Sequence, residues 1–290
     1  MREDDLRPSE NIEDRRGGGG RFAARGGGLG IGAVLVLTLI GWALGINPAT
    51  LIGGAEMVAG GGNGAYQSAP ARTGTPNDQV GNFVARVLGE TEDVWSAVLP
   101  AQANRQYEKP ILVLFSGATR SGCGTAQSAM GPFYCPLDRK LYLDTSFFQD
   151  MQRRFGGGGD FAYAYVIAHE VGHHVQNLIG LLPKVQRAQR DAPDRATANA
   201  ISVRVELMAD CFAGVWANKM NQRHNNIDEN DVREAVRAAS AIGDDRLERQ
   251  SQGYAVPDSF THGTSQQRVH WLTTGLKTGS MKACDTFQRQ

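Results

Sequence analysis

No Cys-x-x-Cys pair occurs in these 290 residues, and only four cysteines are present: Cys123, Cys135, Cys211 and Cys284. A cysteine-built zinc module is thereby excluded. Charge of one sign is also missing, because 30 Lys and Arg balance 30 Asp and Glu. Without a basic field there is nothing to hold a phosphate backbone, so nucleic acid is not an expected partner. No Lys or Arg falls between Arg25 and Arg72, no internal repeat is visible, and histidine is scarce, with six in all. What is present is enough apolar residue, 41% of the chain, to bury one sizeable core, in one large domain or two small ones.

Three of the six histidines fall in one apolar stretch, AYVIAHEVGHHVQNLIG, residues 164–180. His169 and His173 are four apart, so on a helix they share a face one turn apart and can bind one metal ion. Glu170 sits beside the first of them, where its carboxylate can take a proton from a water activated by that metal. This is the H-E-x-x-H arrangement of zinc metallopeptidases. The spacing predicts the helix it needs: Asp160 follows a glycine run as its cap, and Gly180 stands at its C′ position. Phe161, Tyr165, Ala168, Gly172, Val175 and Ile179 make its core stripe, while Val166, His169, His173 and Gln176 share another face. Burying such a set of imidazoles and a carboxylate without a metal or partners would be costly. His174 lies about 100° further round the helix and receives no role, and His224 and His270 read as surface residues.

Two histidines leave a catalytic zinc one protein ligand short. A second long helix, Asp194 to Asn221, contains VRVELMADCFAGVW (203–216), with Glu206 and Asp210 four apart on one face. Glu206 is the expected third ligand, by the His₂Glu pattern, with Asp210 next in line. In the first arrangement Asp210 accepts the free ring N–H of a ligand histidine and fixes its tautomer.

Residues 26–46 carry no charge and are strongly apolar from Ile31 to Leu44, a length that suits one membrane-spanning helix. Arg15, Arg16, Arg21 and Arg25 precede it, so the positive-inside rule places the N-terminus in the cytoplasm. A cleaved signal peptide is the rival reading. The expected organisation is a disordered cytoplasmic tail (1–27), a transmembrane anchor (28–46), a flexible linker (47–77) and a catalytic domain (78–290). That domain would lie on the periplasmic or extracellular side of the cytoplasmic membrane, where disulfides persist. The expected pairing is Cys123–Cys135 and Cys211–Cys284, with the other pairings left open by sequence.

Within the domain, residues 78–99 predict helix with a break at Gly89, and PILVLF (110–115) predicts a buried strand. RKLYLD (139–144) predicts a strand, with Leu141 and Leu143 facing one way and Tyr142 the other. Residues 146–155 predict a helix, Asp228 caps another to Ile242, and Thr264 with Gln267 makes a capping box for a last helix. The fold class is α+β: mostly helical, with a small sheet.

GPFYCPLDRKLYLDTSFF, AHEVGHHVQNLIG, VELMADCFAGVW and SFTHGTSQQR together resemble the neutral zinc metallopeptidases of the YpfJ family, with the gluzincin pattern H-E-x-x-H then E-x-x-x-D. The resemblance implies a zincin-like domain holding one Zn²⁺ through His169, His173 and Glu206, with Glu170 as general base. It implies a membrane-anchored zinc endopeptidase acting on peptides or proteins. His262 is similar to a Thr-His segment near the C-terminus of membrane-linked gluzincins, where it could donate to the oxyanion; Tyr254 and Tyr142 are rivals for that role. In zincins an edge strand before the zinc helix aligns the substrate, and RKLYLD is the candidate. The alternative from another class is a membrane-tethered binding or scaffold protein with a structural metal. Glu170 beside the ligands speaks against it, since a structural site has no use for a base.

Overall fold

The computed structural model describes residues 1–16, 71–155 and 158–288; the expected anchor (28–46) and most of the linker lie outside them. Helix α1 (Gln79–Ala103) opens on Asp78, whose side chain accepts from the Gly81 N–H, and buries Phe83, Val84, Val87, Leu88, Val94, Trp95, Val98 and Leu99. The expected break at Gly89 does not occur. A Cβ there would lie 2.0 Å from the Arg7 carbonyl oxygen, so the glycine admits a second chain segment rather than ending the helix.

Five strands form the main sheet: β1 (Ile12–Asp14), β2 (Arg72–Thr73), β3 (Ile111–Phe115), β6 (Phe133–Cys135) and β7 (Lys140–Asp144). Their order is β2-β1-β3-β7-β6, and β4 (Ala118–Ser121) with β5 (Gly124–Gln127) makes a separate hairpin. β7 runs parallel to β3 and antiparallel to β6. The expectation of 139–144 as an edge strand is therefore corrected: β6 covers it, and β6 is the edge. The alternation along β7 explains why it sits inside. Leu141 and Leu143 enter the main core, and Tyr142 enters a second cluster with Val113, Phe115, Ala126 and Cys135. A strand apolar on both faces belongs within a sheet.

Seven further helices follow: α2 (Ser146–Asp150, continued by a π turn, Met151–Phe155), α3 (Asp160–Leu178), α4 (Leu181–Arg190), α5 (Arg195–His224), α6 (Glu229–Ala241), α7 (Asp244–Gln252) and α8 (Ser265–Thr278). Asp194, Asp228 and Thr264 cap α5, α6 and α8, the last two through capping boxes. α5 is the hub, packed on α3 along one side and on α8 along the other. The second contact is close: a Cβ on Gly275 of α8 would lie 1.9 Å from the Cys211 carbonyl oxygen. Disulfides join Cys123 to Cys135 and Cys211 to Cys284. The second has a sequence separation of 73; in the chain-entropy account it constrains the unfolded state by about 4–5 kcal/mol.

The N-terminal reading is corrected at residues 1–16, which are ordered. β1 pairs in parallel with β3 and antiparallel with β2, and Leu6 and Ile12 are buried in the main core. Buried Glu92 accepts from Ser9 Oγ, from Asn11 Nδ2 at 2.7 Å and from Arg7 Nη2 at 3.0 Å. Arg16 bridges Asp14 and Asp78, the cap of α1. Charged residues that looked like a solvated tail are thus paired with α1. Residues 1–16 and the domain beyond residue 71 thus form one bonded unit. Ile12→Ala should destabilise the protein by about 2–4 kcal/mol, the cost of emptying a buried aliphatic site. Urea unfolding of the full chain measures it, and a disordered tail would give no change.

Candidate metal centre

Helix α3 places the three histidines. Gly159 occupies its N-cap, so Asp160 lies in the first turn rather than capping it, and Gly180 follows the helix with φ 76°. Phe161, Tyr165, Ala168, Gly172 and Val175 are buried, which turns His169 and His173 towards α5. There Glu206 lies between them. Its Oε2 is 3.2 Å from His169 Nε2 and its Oε1 is 3.4 Å from His173 Nε2. One ligand atom from each of the three residues lies within 4.8 Å of the others.

The donor set fits zinc. Tetrahedral ligands at ~2.0–2.1 Å from an ion stand about 3.3–3.4 Å from one another, close to the two separations between the histidine Nε2 atoms and the Glu206 carboxylate oxygens, 3.2 and 3.4 Å. The outer ring nitrogens are committed elsewhere. His169 donates from Nδ1 to Asp210 Oδ1 at 2.9 Å, and His173 donates from Nδ1 to Gln176 Oε1 at 2.9 Å. Both Nε2 lone pairs are thereby aimed at the shared point. Gln176 is fixed in turn by its donation to the Val205 carbonyl at 2.7 Å.

Asp210 is fully buried and accepts from four donors in all. Besides His169 these are the Tyr165 hydroxyl at 2.5 Å and Nε and Nη2 of Arg268, each at 2.9 Å. Arg268 also donates to the Ile242 carbonyl at 3.3 Å. Burial disfavours the Asp210 charge, but Arg268 and His169 outweigh it and hold its pKa down at about 2. Arg268 and Tyr165 were not singled out as site residues in the sequence. Tyr165 precedes His169 by one turn and Gln176 shares the histidine face, so both carried a signal; Arg268 ends the SFTHGTSQQR stretch, but nothing local ties it to Asp210, 58 residues before it.

Burial also opposes charge on His169, yet Asp210 and Glu206 raise its pKa to about 10. His173 is raised too, by Glu206 against burial, and Glu206 is held well below its usual range because the two histidines outweigh its desolvation. Glu170 is shifted the other way: burial raises its pKa, opposed by the nearby histidines. A carboxylate raised in this way is a stronger proton acceptor than a free one.

The four residues open onto a cleft of about 400 Å³. Phe133, Phe147, Val166, Leu182, Ile242 and Leu247 make its apolar wall, and His262 stands at its rim. Asp244, the first residue of α7, accepts from His262 Nδ1 at 3.1 Å and from the backbone N–H groups of Thr261, His262 and Gly263. Against the effect of burial, Asp244 and Glu206 raise the His262 pKa. The rival tyrosines lie elsewhere: Tyr142 is buried and donates to Asp138, and Tyr254 is exposed and lines no part of the cleft. His174 faces away from Glu206. It is buried against Tyr134 and the Glu108 carbonyl, and burial lowers its pKa to about 4, so it is neutral. His224 is corrected from surface to partner, lying 3.1 Å from buried Glu90.

Two measurements check this geometry. Asp210→Ala should lower zinc affinity about 10–100-fold, the usual cost of removing the group that orients a ligand histidine, read by competition with a chelator. Below a pKa of about 10, His169 holds a proton in the metal-free protein that the metal must displace. Zinc binding at pH 7–8 should therefore release protons, and apparent affinity should rise with pH. Calorimetry in buffers of different ionisation enthalpy detects the release, and no buffer dependence would contradict it.

Comparison with known proteins bears on the same residues. The family described as "Putative neutral zinc metallopeptidase" matches residues 1–287. The chain is 45% identical over 297 residues to the uncharacterized protein YpfJ of Escherichia coli strain K12, covering 99% of each chain. It is 40% identical over 233 residues to the uncharacterized protein Rv2575 of Mycobacterium tuberculosis strain H37Rv, covering 77% of this chain and 76% of that one. No solved structure matches. With the family match running nearly end to end over a centre of two histidines and a glutamate, the chain belongs to the neutral zinc metallopeptidase family.

Proposed function

We propose that the protein is a zinc endopeptidase that cleaves peptides or proteins with Glu170 as general base. The observation that carries this reading is the His169–His173–Glu206 triangle with a buried carboxylate of raised pKa beside it. One bound Zn²⁺ supplies a Lewis acid that polarises the scissile carbonyl and lowers the pKa of water to about 7. Glu170 accepts the proton of the attacking water and returns it to the leaving amine. His262, its Nδ1–H held by Asp244, in its imidazolium form donates Nε2–H to the carbonyl oxygen as charge grows there. Asp210, Arg268 and Gln176 hold the two ligand histidines in the required tautomer. The apolar cleft wall excludes water from the reacting bond.

The apolar run at 28–46 is proposed to hold the enzyme at the cytoplasmic membrane, with the catalytic domain on the periplasmic or extracellular side. The two disulfides support an oxidising compartment.

Glu170→Gln keeps the shape of the side chain and removes the base. It should retain zinc at the wild-type level and abolish cleavage of a peptide library by the full chain. His262→Ala should retain zinc and lower kcat by about 10²-fold, the usual worth of one oxyanion donor. Unchanged cleavage in Glu170→Gln with zinc in place would sink the mechanism.

A further inference from the structure

β6 is a three-residue strand at the end of the sheet, too short to be fixed by pairing with β7 alone. Phe133 and Tyr134 of this strand line the metal cleft. Two other attachments hold it. The Cys123–Cys135 disulfide secures one end, and the Tyr134 hydroxyl reaches across to α3. There it accepts from Asn177 Nδ2 at 2.9 Å and lies 3.1 Å from His174 Nδ1.

The direction of each bond follows from the chemistry. His174 Nε2 lies 2.6 Å from the Glu108 carbonyl oxygen, which can only accept. Nε2 therefore carries the proton, Nδ1 is an acceptor, and the Tyr134 hydroxyl must donate to it. The imidazole is also packed edge to face against Tyr134 and Tyr107, with centroids 5.3 and 5.7 Å away. His174 thus joins three segments: α3, the loop before β3, and β6. Its neighbour in sequence is His173, so the join lies next to a metal-ligand position.

We infer that Tyr134, His174 and Asn177 form a strut that sets β6 at a fixed distance from the metal centre, and that this placement determines affinity for an extended peptide main chain. It rests on the peptidase reading. Among the described residues, no strand pairs with the outer side of β6. A peptide in extended form can add there as a further strand through main-chain hydrogen bonds, but only if the edge is held in register with the reacting carbonyl. The three are positioning residues that act through β6.

The test uses the zinc-loaded full chain and two kinds of probe: acetohydroxamate, which engages the metal alone, and alanine tetrapeptide hydroxamates extended to either side of the metal-binding group. Wild type should bind one of the extended probes more tightly than acetohydroxamate. Tyr134→Phe keeps the ring and deletes the hydroxyl. It should leave zinc content and acetohydroxamate affinity unchanged, and weaken the extended probe about tenfold, equivalent to roughly one lost main-chain hydrogen bond. Amide exchange at residues 133–135 should rise in the same variant. His174→Phe should repeat the pattern, and if it does not fold, Tyr134→Phe carries the test. Unchanged affinity for the extended probe, equal weakening of both probes, or a wild type that gains nothing from the peptide would overturn the inference. A wild type that binds the extended probe tightly yet cleaves no peptide would defeat the peptidase reading instead, and the probe comparison would still decide the strut.

Discussion

The buried carboxylate of Asp210 is the constraint on which the centre depends. It lies under the metal-ligand set and accepts from an imidazole, a phenol and a guanidinium. Asp210 with His169 alone would leave a carboxylate buried with too few donors, and a buried charge survives only when paired and hydrogen-bonded. Arg268 supplies the missing charge, and it can do so because α8 lies close against α5. That approach in turn requires Gly275 where a side chain would meet the Cys211 carbonyl. A glycine about two turns beyond Arg268 is thus part of what holds a zinc ligand in its tautomer.

The sequence was most legible where chemistry is local. His169, Glu170 and His173 are read from one helical turn, and Glu206 with Asp210 from another, because i,i+4 spacing is itself a statement about a face. Helix ends were legible at Asp194, Asp228 and Thr264, where a capping oxygen acts within three residues. What was not legible depends on distant partners. α7, with Leu247 as its only large apolar residue, has no stripe of its own; its role is to place Asp244 under His262. Arg268 is one more cation in the sequence until the fold sets it on Asp210. Gly89 reads as a helix break because nothing local shows that residues 7–9 pass over it.

Residues 1–16 show the same limit more sharply. Their composition is that of a solvated tail: only Met1, Leu6 and Ile12 are large and apolar among the first sixteen residues. Two of these, Leu6 and Ile12, enter the core, and most of the charges around them have named partners, so the low hydrophobicity that normally marks disorder here marks a pairing surface. Glu92 is the counterpart. A glutamate buried in the middle of α1 would be untenable alone, and Ser9, Asn11, Arg7 and Lys109 are the groups that make it tolerable.

The two disulfides serve different walls of one cleft. Cys211 follows Asp210 directly on the helix that supplies Glu206, and its bond to Cys284 fastens the C-terminal segment to that helix. Cys135 ends β6, and its bond to Cys123 fastens the edge strand to the β4–β5 hairpin. One wall must hold ligand atoms at fixed separations, since metal affinity depends on them. The other needs only to present a main chain in register. The sequence separations follow that division: 73 residues are closed around the metal wall and 12 around the edge strand. The short loop adds less to global stability in the chain-entropy account, so its effect is local, confined to the strand that Tyr134 also holds.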